Sequence, residues 1–299
     1  MSLTRRILNL WLRWTEKPML ARAQDPLALR RAFDRKAGLL FRAPRGMAFR
    51  RAPIGGVPAT HLSGPTGAPV LLYLHGGAFI MGSARTHRAL AARIATGAGL
   101  ALCLPEYRLA PEHPFPAAPE DALAVFDALV AQGHRVVLGG DSAGGGLALS
   151  VLAEILRRGG PAPLGAFAFS PLTDLGFSGA SVRDNAGSDV LLPVSRIHDI
   201  VDLYLPGQDP ADPRASPLFA DFNGAPPVWL TASDTEFLLD DTRRMAARLR
   251  AAGVDVTERI ARDLPHAWPL FHGFLPEARQ TLKALDGWLN SLSSSSAGN

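Results

Sequence analysis

The run Gly-Asp-Ser-Ala-Gly-Gly at residues 140–145 restricts the fold of this 299-residue chain more than any other stretch. The segment before it, residues 135–138, predicts a buried strand, and the small-residue segment 146–152 predicts a helix. A strand, Gly-x-Ser-x-Gly and a helix form the context of a nucleophile elbow, a sharp turn that holds a serine hydroxyl above a sheet. The pentapeptide alone also fits an ordinary glycine-rich turn, so other segments are needed to distinguish the two.

An elbow gives the residues of this run defined positions. Gly140 and Gly144 flank the serine because a Cβ at either position would collide with the neighbouring strand or helix. Ser142 then carries the exposed hydroxyl. The backbone N–H of Ala143 lies at the N-terminus of the following helix, where it points toward any oxyanion formed on an attacked carbonyl group.

Short apolar runs alternate with helical patterns along most of the chain. Predicted strands cover residues 47–51, 57–62, 70–74, 100–104, 135–138, 166–169, 228–232 and 256–260, and predicted helices cover 86–98, 119–132, 146–152, 240–252 and 276–292. Continuous apolar strands between helices are typical of a mostly parallel sheet covered on both faces. The first two strands, joined at Gly55-Gly56, predict an antiparallel hairpin at one edge. The predicted class is α/β.

Two regions depart from this alternation and predict a lid. Residues 1–46 contain two or three helices with breaks at Pro18, Pro26 and Pro44. Residues 176–222, with a helix at 193–205, interrupt the main domain of 47–292 at a point that follows a strand. Ligands of open α/β sheets bind at the carboxyl ends of the strands, so both regions are expected to cover that end. The serine-rich tail 293–299 is predicted to be disordered.

The charge of the chain is unevenly distributed. Residues 1–51 hold 13 Lys and Arg against 3 Asp and Glu, a net charge of +10, and the remainder carries −6 within a total of +4. The sequence has no zinc spacing, no RNA-binding aromatic signature and no basic helix that would read a DNA groove. An acidic body also repels a phosphate backbone. We therefore expect no nucleic-acid partner.

The N-terminal stretch predicts an amphipathic helix with Ile7, Leu8, Trp11 and Trp14 on one face. Such a helix either lies on a membrane surface or serves as a lid over an apolar pocket, and the lid is the favoured interpretation. No stretch is long and apolar enough for a membrane span, so stable insertion is not expected. The only cysteine, Cys103, lies in an apolar run and has no internal disulfide partner, which fits the cytoplasm.

A serine hydroxyl becomes a strong nucleophile only when a base takes its proton and an acid orients that base. In an elbow fold these residues follow in the order Ser, Asp or Glu, then His. His266 comes directly after the last predicted strand and is the favoured base, with His272 as the alternative. Asp234 and Glu236, after the strand 228–232, both fit the acid, and their spacing does not distinguish them.

The run His-Gly-Gly-Ala-Phe at residues 75–79 follows the predicted strand 70–74. Glycines at this point of an elbow fold allow backbone N–H groups to approach a substrate carbonyl oxygen and complete an oxyanion hole. A simple Gly-Gly turn with a packed histidine is the alternative. Asp240, near the end of the acid region, is predicted to cap the helix that follows it.

Together these motifs make the chain resemble the hormone-sensitive-lipase-like bacterial carboxylesterases of the α/β-hydrolase fold. The matching stretches are residues 75–79, Tyr-Arg-Leu-Ala-Pro-Glu at 107–112, the elbow at 140–145, Ser-Pro-Leu-Thr-Asp-Leu at 170–175, Asp-Pro-Arg-Ala-Ser-Pro-Leu at 212–218, and Leu-Pro-His at 264–266. They occur in the order of the family and span most of the chain.

The resemblance implies a role for each residue of the site. Ser142 is the nucleophile, His266 the base, and Gly76, Gly77 and Ala143 the oxyanion donors. The acid of the family precedes an x-Leu-x-Asp-Asp pattern, which here selects Glu236 over Asp234, although most members have Asp at that position. Ala78 replaces a third glycine found in many members.

The resemblance further implies a small-molecule ester substrate and a homodimer formed through the last strand. No metal or organic cofactor is expected, because the sequence has no His/Cys cluster at ligand spacing and no dinucleotide fingerprint after a first strand. Six residues of the N-terminal segment are candidates to line the substrate pocket, although packing inside the lid is the favoured role of each: Trp11, Trp14, Phe33, Leu39, Leu40 and Phe41. Two alternatives remain. Hydrolysis of an amide, lactone or N-acyl bond uses the same triad, and a panel of acyl esters would separate it from an esterase. A ligand-binding protein on a retired scaffold would have lost a triad member, and a serine-directed covalent inhibitor tests for that.

Overall fold

The apolar runs form a single eight-stranded sheet in the computed structural model, which describes residues 2–43 and 46–295. The strands are β1 (Phe49–Ile54), β2 (Val57–Leu62), β3 (Val70–Leu74), β4 (Ala101–Pro105), β5 (Val136–Asp141), β6 (Gly165–Phe169), β7 (Val228–Ser233) and β8 (Val256–Ala261). Their spatial order is β1-β2-β4-β3-β5-β6-β7-β8. From β4 to β8 neighbouring strands are parallel, whereas β1 and β2 are antiparallel. The predicted α/β class and the edge hairpin are confirmed.

Helices cover the sheet on both sides. They are α1 (Leu3–Trp11), α2 (Lys17–Arg22), α3 (Pro26–Leu40), α4 (Ala84–Gly97), α5 (Ala117–Ala131), α6 (Ser142–Arg158), α7 (Ala180–Asp184), α8 (Ile197–Tyr204), α9 (Leu239–Ala251) and α10 (Pro276–Ser295). Alternate residues of β3 enter different cores: Leu72 and Leu74 pack with α5 and α6, and Leu71 and Tyr73 pack with α4 and α10. Burial on both faces explains why β3 is apolar at every position.

The N-terminal segment differs from the prediction at Pro18. A π-helical turn, Leu12–Glu16, joins α1 to α2, so the chain stays helical from residue 3 to residue 22 and runs through Pro18. The wider turn accommodates the proline that was expected to break the helix. The break before α3 is where it was predicted, with Asp25 capping the N–H of Leu27 at 2.8 Å. Pro44 lies outside the described residues.

Most other predicted elements agree with the structure to within two or three residues, with a few local differences. Leu238, not Asp240, is the N-cap residue of α9, and Asp240 lies in the first turn, where its carboxylate accepts the N–H of Ser181 at 2.9 Å. The insertion 176–222 contains α7 as well as the expected α8. Of the predicted tail, residues 293–295 belong to α10 and 296–299 lie outside the described residues.

Strand β8 forms one edge of the sheet and pairs with β7. Ile260 on this strand is partly exposed. A dimer through the last strand, as the resemblance implies, requires such an accessible edge.

Candidate active site

The turn between β5 and α6 places Ser142 at the carboxyl end of the central strands. Ser142 has a φ of +54°, in the left-handed region that a residue with a side chain rarely adopts. Such a conformation costs about 1–3 kcal/mol and persists only where surrounding packing enforces it. A Cβ on Gly144 would overlap the carbonyl oxygens of Leu74 and His75, so the helix lies against β3 only because this position is glycine. The strained strand–turn–helix geometry is that of a nucleophile elbow.

A buried histidine–carboxylate pair lies at the same end of the sheet. His266 follows β8, Glu236 follows β7, and Nδ1 of His266 lies 2.6 Å from Oε2 of Glu236. Both side chains are buried. Among the described residues, Nε2 of His266 has no hydrogen-bond partner. With Nδ1–H donating to the carboxylate, Nε2 is free to accept a proton.

The two alternative residues are engaged elsewhere. Asp234 accepts the backbone N–H of Asp263 through Oδ1 at 2.7 Å and so joins the loops that follow β7 and β8. Nδ1 of His272 lies 3.2 Å from the carbonyl oxygen of Pro269. Of the candidates left open by spacing alone, the structure therefore brings together Glu236 and His266.

Two further residues hold the carboxylate of Glu236, and sequence reasoning did not single them out for this role. Ser170, at the end of β6, donates its hydroxyl to Oε1 at 2.9 Å, and the N–H of Ser233 donates to the same oxygen. Ser170 also accepts the N–H of Ala267 at 3.2 Å, next to the histidine. It lies in the 170–175 run that carries the family resemblance, but nothing in that run indicates a contact with the acid.

We expect Ser170→Ala to lower kcat about tenfold, because the lost hydrogen bond is worth about 1–1.5 kcal/mol and orients the acid. KM should stay within about twofold, since Ser170 does not line the cavity. Steady-state kinetics with a soluble ester measures both values, and Ser170→Thr, which keeps the hydroxyl, is the matched control. A rise in KM with unchanged kcat would contradict this role.

The loop after β3 supplies backbone N–H groups beside the serine, but not all of those that were predicted. The N–H of Gly76 donates to Oδ1 of Asp141 at 3.2 Å. Within the described part of the chain, no acceptor is found for the N–H of Gly77 or Ala78. This corrects the predicted role of Gly76, because a hydrogen already held by a carboxylate is not available to an oxyanion. The free N–H groups belong to Gly77, Ala78 and, at the first turn of α6, Ala143.

Asp141, the residue before the serine, fixes this loop. Its carboxylate also accepts the hydroxyl of Tyr73 at 2.7 Å and lies 3.3 Å from Nε2 of His87. Burial by itself would raise the pKa of Asp141, but the charge and hydrogen bond of His87 and the hydrogen bond of Tyr73 hold that pKa below its ordinary value. Asp141 is therefore a buried anion that joins the elbow to the loop containing Gly76.

His75, at the start of the same loop, is uncharged. Burial, reinforced by the nearby His87, lowers the pKa of His75 to about 3. Its Nδ1 lies 3.0 Å from the carbonyl oxygen of Gly76, and its ring stacks on Tyr107 with centroids 4.3 Å apart. Tyr107 in turn donates its hydroxyl to the carbonyl oxygen of His75 at 2.6 Å. These contacts give His75 a positioning role in the loop.

A family model described as alpha/beta hydrolase fold matches residues 71–270, which is most of the chain and contains the elbow, the acid and the histidine. The chain belongs to this family.

Named relatives and a solved structure place this α/β hydrolase more closely. It is 39% identical over 222 residues to an acetyl-hydrolase of Streptomyces hygroscopicus, covering 73% of this chain and 74% of that one. It is 33% identical to an esterase of Acinetobacter venetianus, covering 89% of each chain. A crystal structure of an esterase from the bacterial hormone-sensitive lipase family superposes with a TM-score of 0.91 at 36% identity, covering 98% of this chain and 99% of that one. The resemblance to the hormone-sensitive-lipase-like esterases is confirmed.

Ser142 and His266 of this α/β hydrolase line the same cavity, which has a volume of about 200 Å³. Its walls come mainly from residues 11–41 and 177–200, together with the loops after β3, β7 and β8. Of the six predicted pocket residues, the structure places four at the cavity: Trp11, Phe33, Leu40 and Phe41. Trp14 and Leu39 are instead exposed on the surface.

The N-terminal segment and the insertion are tied together above the cavity of the hydrolase. Nζ of Lys17 donates to the carbonyl oxygens of Ala186 and Asp189 at 2.9 and 2.6 Å. The buried Asp189 accepts the N–H of Phe237, next to the acid, at 3.1 Å. The wall of the cavity is therefore connected to the loop that carries Glu236.

No group of three or more metal-ligating side chains is found together in residues 2–43 and 46–295 of the hydrolase. In the same residues, no helix has the length and apolar character that a membrane crossing requires.

Proposed function

We propose that this α/β hydrolase is a serine carboxylesterase that hydrolyses small to medium acyl esters through an acyl-enzyme intermediate. The observation that carries the proposal is the apolar cavity shared by Ser142 and His266, with His266 hydrogen-bonded to the buried Glu236. The names of the relatives, acetyl-hydrolase and esterase, support the same bond type.

In the proposed mechanism, Oγ of Ser142 attacks the ester carbonyl carbon while Nε2 of His266 takes the hydroxyl proton. Glu236 stabilises the imidazolium that forms and keeps Nδ1 as the donor. The tetrahedral intermediate collapses, the bond to the alcohol oxygen breaks, and His266 gives its proton to the leaving alcohol. Water then attacks the acyl-enzyme and gives a proton to His266. The bond between the acyl carbon and Oγ breaks, and His266 returns the proton to Oγ, which releases the acid and restores Ser142.

The negative oxygen of the tetrahedral intermediate is assigned to the N–H groups of Gly77, Ala78 and Ala143. The positive φ values of Gly77 and Ala78, +127° and +54°, support this assignment because successive residues in unusual conformations direct adjacent N–H groups into one concave space. Loss of one such donor typically costs about 3–4 kcal/mol of barrier. A rigid backbone held by Asp141 meets the requirement for donors that are in place before the reaction.

The cavity volume sets the expected chain length of the acyl group. A dry apolar cavity of about 150 Å³ takes up a benzene molecule, so about 200 Å³ accommodates roughly eight carbon atoms of acyl and alcohol groups together. Across p-nitrophenyl esters from acetate to palmitate, we expect kcat/KM to peak at acetate or butyrate, the esters nearest this size, and to fall at least about 100-fold by palmitate. A maximum at palmitate would contradict the proposed substrate class, and the chromophore assay measures the whole series under one condition.

The pH dependence follows from His266. Burial opposes its charge, but the hydrogen bond and charge of Glu236 outweigh burial and raise the pKa of His266 above 6.5. A protonated His266 cannot accept the proton of Ser142, so kcat/KM should fall as the pH decreases through that raised pKa. A profile measured over roughly pH 5 to pH 9 should therefore have its acidic limb centred above pH 6.5. A kcat/KM that stays constant well below pH 6.5 would contradict the role of His266 as the base.

We also propose a lid made of residues 1–46 and the insertion 176–222 over a main domain of 47–292. The support is that described residues of both regions form the cavity walls and are joined through Lys17. A cytoplasmic location is proposed as well. Cys103 is the only cysteine and is buried in β4, so the fold does not depend on an internal disulfide.

A further inference from the structure

The outer face of α1 and the π-helical turn that continues it carries an exposed apolar stripe, called here the stripe of α1, that is not part of the active site. Leu3, Ile7, Leu10 and Trp14 are spaced three or four residues apart, and their exposed fractions are 71%, 59%, 58% and 74%. This spacing places all four side chains on one side of the helix. Isolated exposed apolar residues are normal in proteins, but a continuous stripe of four large ones indicates an interaction surface.

The opposite face of the same helix is firmly attached to the protein. Leu8 and Leu12 are buried against Trp268 and Phe271. Arg5, also buried, forms an ion pair with Asp263 at 3.0 Å, and the Ser2 hydroxyl donates to Glu277 at 2.9 Å. Ile7, Leu8, Trp11 and Trp14 were predicted to share one face, whereas the structure divides them between the attached and exposed sides. The stripe is therefore displayed on a fixed helix.

The N-terminal segment that carries the stripe is positively charged. Within residues 2–43, six arginines are exposed against one exposed acidic residue, Asp25. The exposed arginines are Arg6, Arg13, Arg22, Arg31, Arg35 and Arg42. Of these, Arg6 and Arg13 lie on α1 or the turn that follows it, beside the stripe. A second copy of the chain docked through this stripe would bring two cationic segments together, which is unfavourable. An anionic surface is favoured by the same charges.

The stripe also lies close to the entrance of the substrate cavity. Trp11 and Leu12, on the same helical segment, are cavity-lining residues. Leu40, which lines the cavity from α3, is also 40% exposed. Any surface that binds the stripe therefore lies next to Trp11, Leu12 and Leu40. An apolar ester would enter the cavity past these residues.

We propose that the apolar stripe of α1 and its surrounding arginines dock the protein onto an anionic lipid surface. Leu3, Ile7, Leu10 and Trp14 enter the boundary between headgroups and acyl chains, and Arg6 and Arg13 remain at the level of the anionic headgroups. The association is peripheral. It does not depend on the proposed esterase activity, because binding is read without catalysis.

The test is co-sedimentation of the full chain with vesicles of phosphatidylcholine alone and of phosphatidylcholine with phosphatidylglycerol. We expect binding to the anionic vesicles that weakens with salt, and at least about tenfold weaker binding to the neutral ones. The combined variant Ile7→Ser, Leu10→Ser, Trp14→Ser should lose at least about tenfold in vesicle binding. Arg6→Glu should lose about tenfold on anionic vesicles only.

Phe219→Ser is the matched control, because Phe219 is 44% exposed, does not belong to the N-terminal helical segment and does not line the active-site cavity. It should bind vesicles like the parent. Thermal melting and hydrolysis of a soluble short ester show that each variant is folded, since none of the four substituted positions of α1 lines the cavity. Failure of the parent to bind anionic vesicles, or equal binding by the triple variant, would overturn the proposal. A concentration-dependent dimer lost in the triple variant would also overturn it, in favour of a second copy.

Discussion

Ser142→Ala should lower kcat for p-nitrophenyl butyrate by roughly five to six orders of magnitude. The substitution removes the only hydroxyl that the elbow presents to the cavity among the described residues, and no acyl-enzyme can form without it. The oxyanion donors and the cavity remain, so a small residual acceleration is expected. Steady-state kinetics measures the loss of activity. Mass spectrometry after treatment with a phosphonate inhibitor measures the loss of covalent labelling.

The parent should gain the mass of one phosphonyl group, and Ser142→Ala should gain none. Ser150→Ala is the control, because Ser150 lies on the same helix and does not line the active-site cavity. It should keep parental activity and labelling. Parental activity in Ser142→Ala would disprove the assignment of the nucleophile. Labelling of Ser142 without activity on any ester would point instead to an amide, lactone or N-acyl substrate.

Glu236→Gln should lower kcat by about three to four orders of magnitude while changing KM little. The amide keeps the size of the side chain but not its charge, and its NH₂ group can donate to Nδ1 and so select the wrong tautomer of His266. The pKa of His266 should fall as well, because the hydrogen bond and charge of Glu236 are what raise it against the effect of burial. The acidic limb of the residual activity should therefore move to lower pH, which a pH–rate profile detects.

Asp234→Asn is the matched test of the other acid. The Asp234 carboxylate contacts the N–H of Asp263 and not the histidine, so kcat should stay within severalfold of the parent. A small loss of thermal stability is expected from the weaker loop contact. If Asp234→Asn were as damaging as Glu236→Gln, the geometry that links Glu236 to His266 would not describe the working enzyme.

The strands and the elbow were predictable because their signals are local. Buried parallel strands are apolar at every position. The glycines on either side of the serine are required because a Cβ at either position would collide with the neighbouring strand or helix. The order of nucleophile, acid and base then placed His266 at the end of the last strand. Choosing between Asp234 and Glu236 needed the family pattern, because both lie within four residues of the end of the predicted strand 228–232.

The remaining features depend on contacts between distant segments. The N–H of Gly76 is held by Asp141, 65 residues away, and nothing near Gly76 in the sequence indicates this contact. Ser170 reaches Glu236 across 66 residues. Pro18 was expected to break a helix, and the π-helical turn before it is not visible in a hydrophobic pattern. Propensity and spacing describe one element at a time, whereas these contacts arise only when the elements are packed together.

The cavity walls and the reacting groups come from different parts of the chain. The reacting groups lie on turns fixed to the sheet by Asp141, Ser170 and Gly144, and most of the wall comes from residues 11–41 and 177–200. Selectivity and chemistry are therefore separable for the protein engineer. Exchanging wall residues such as Phe33 or Leu192 for others of different size offers a way to change which ester is accepted, while the catalytic framework serves as a constant platform for a whole library of variants.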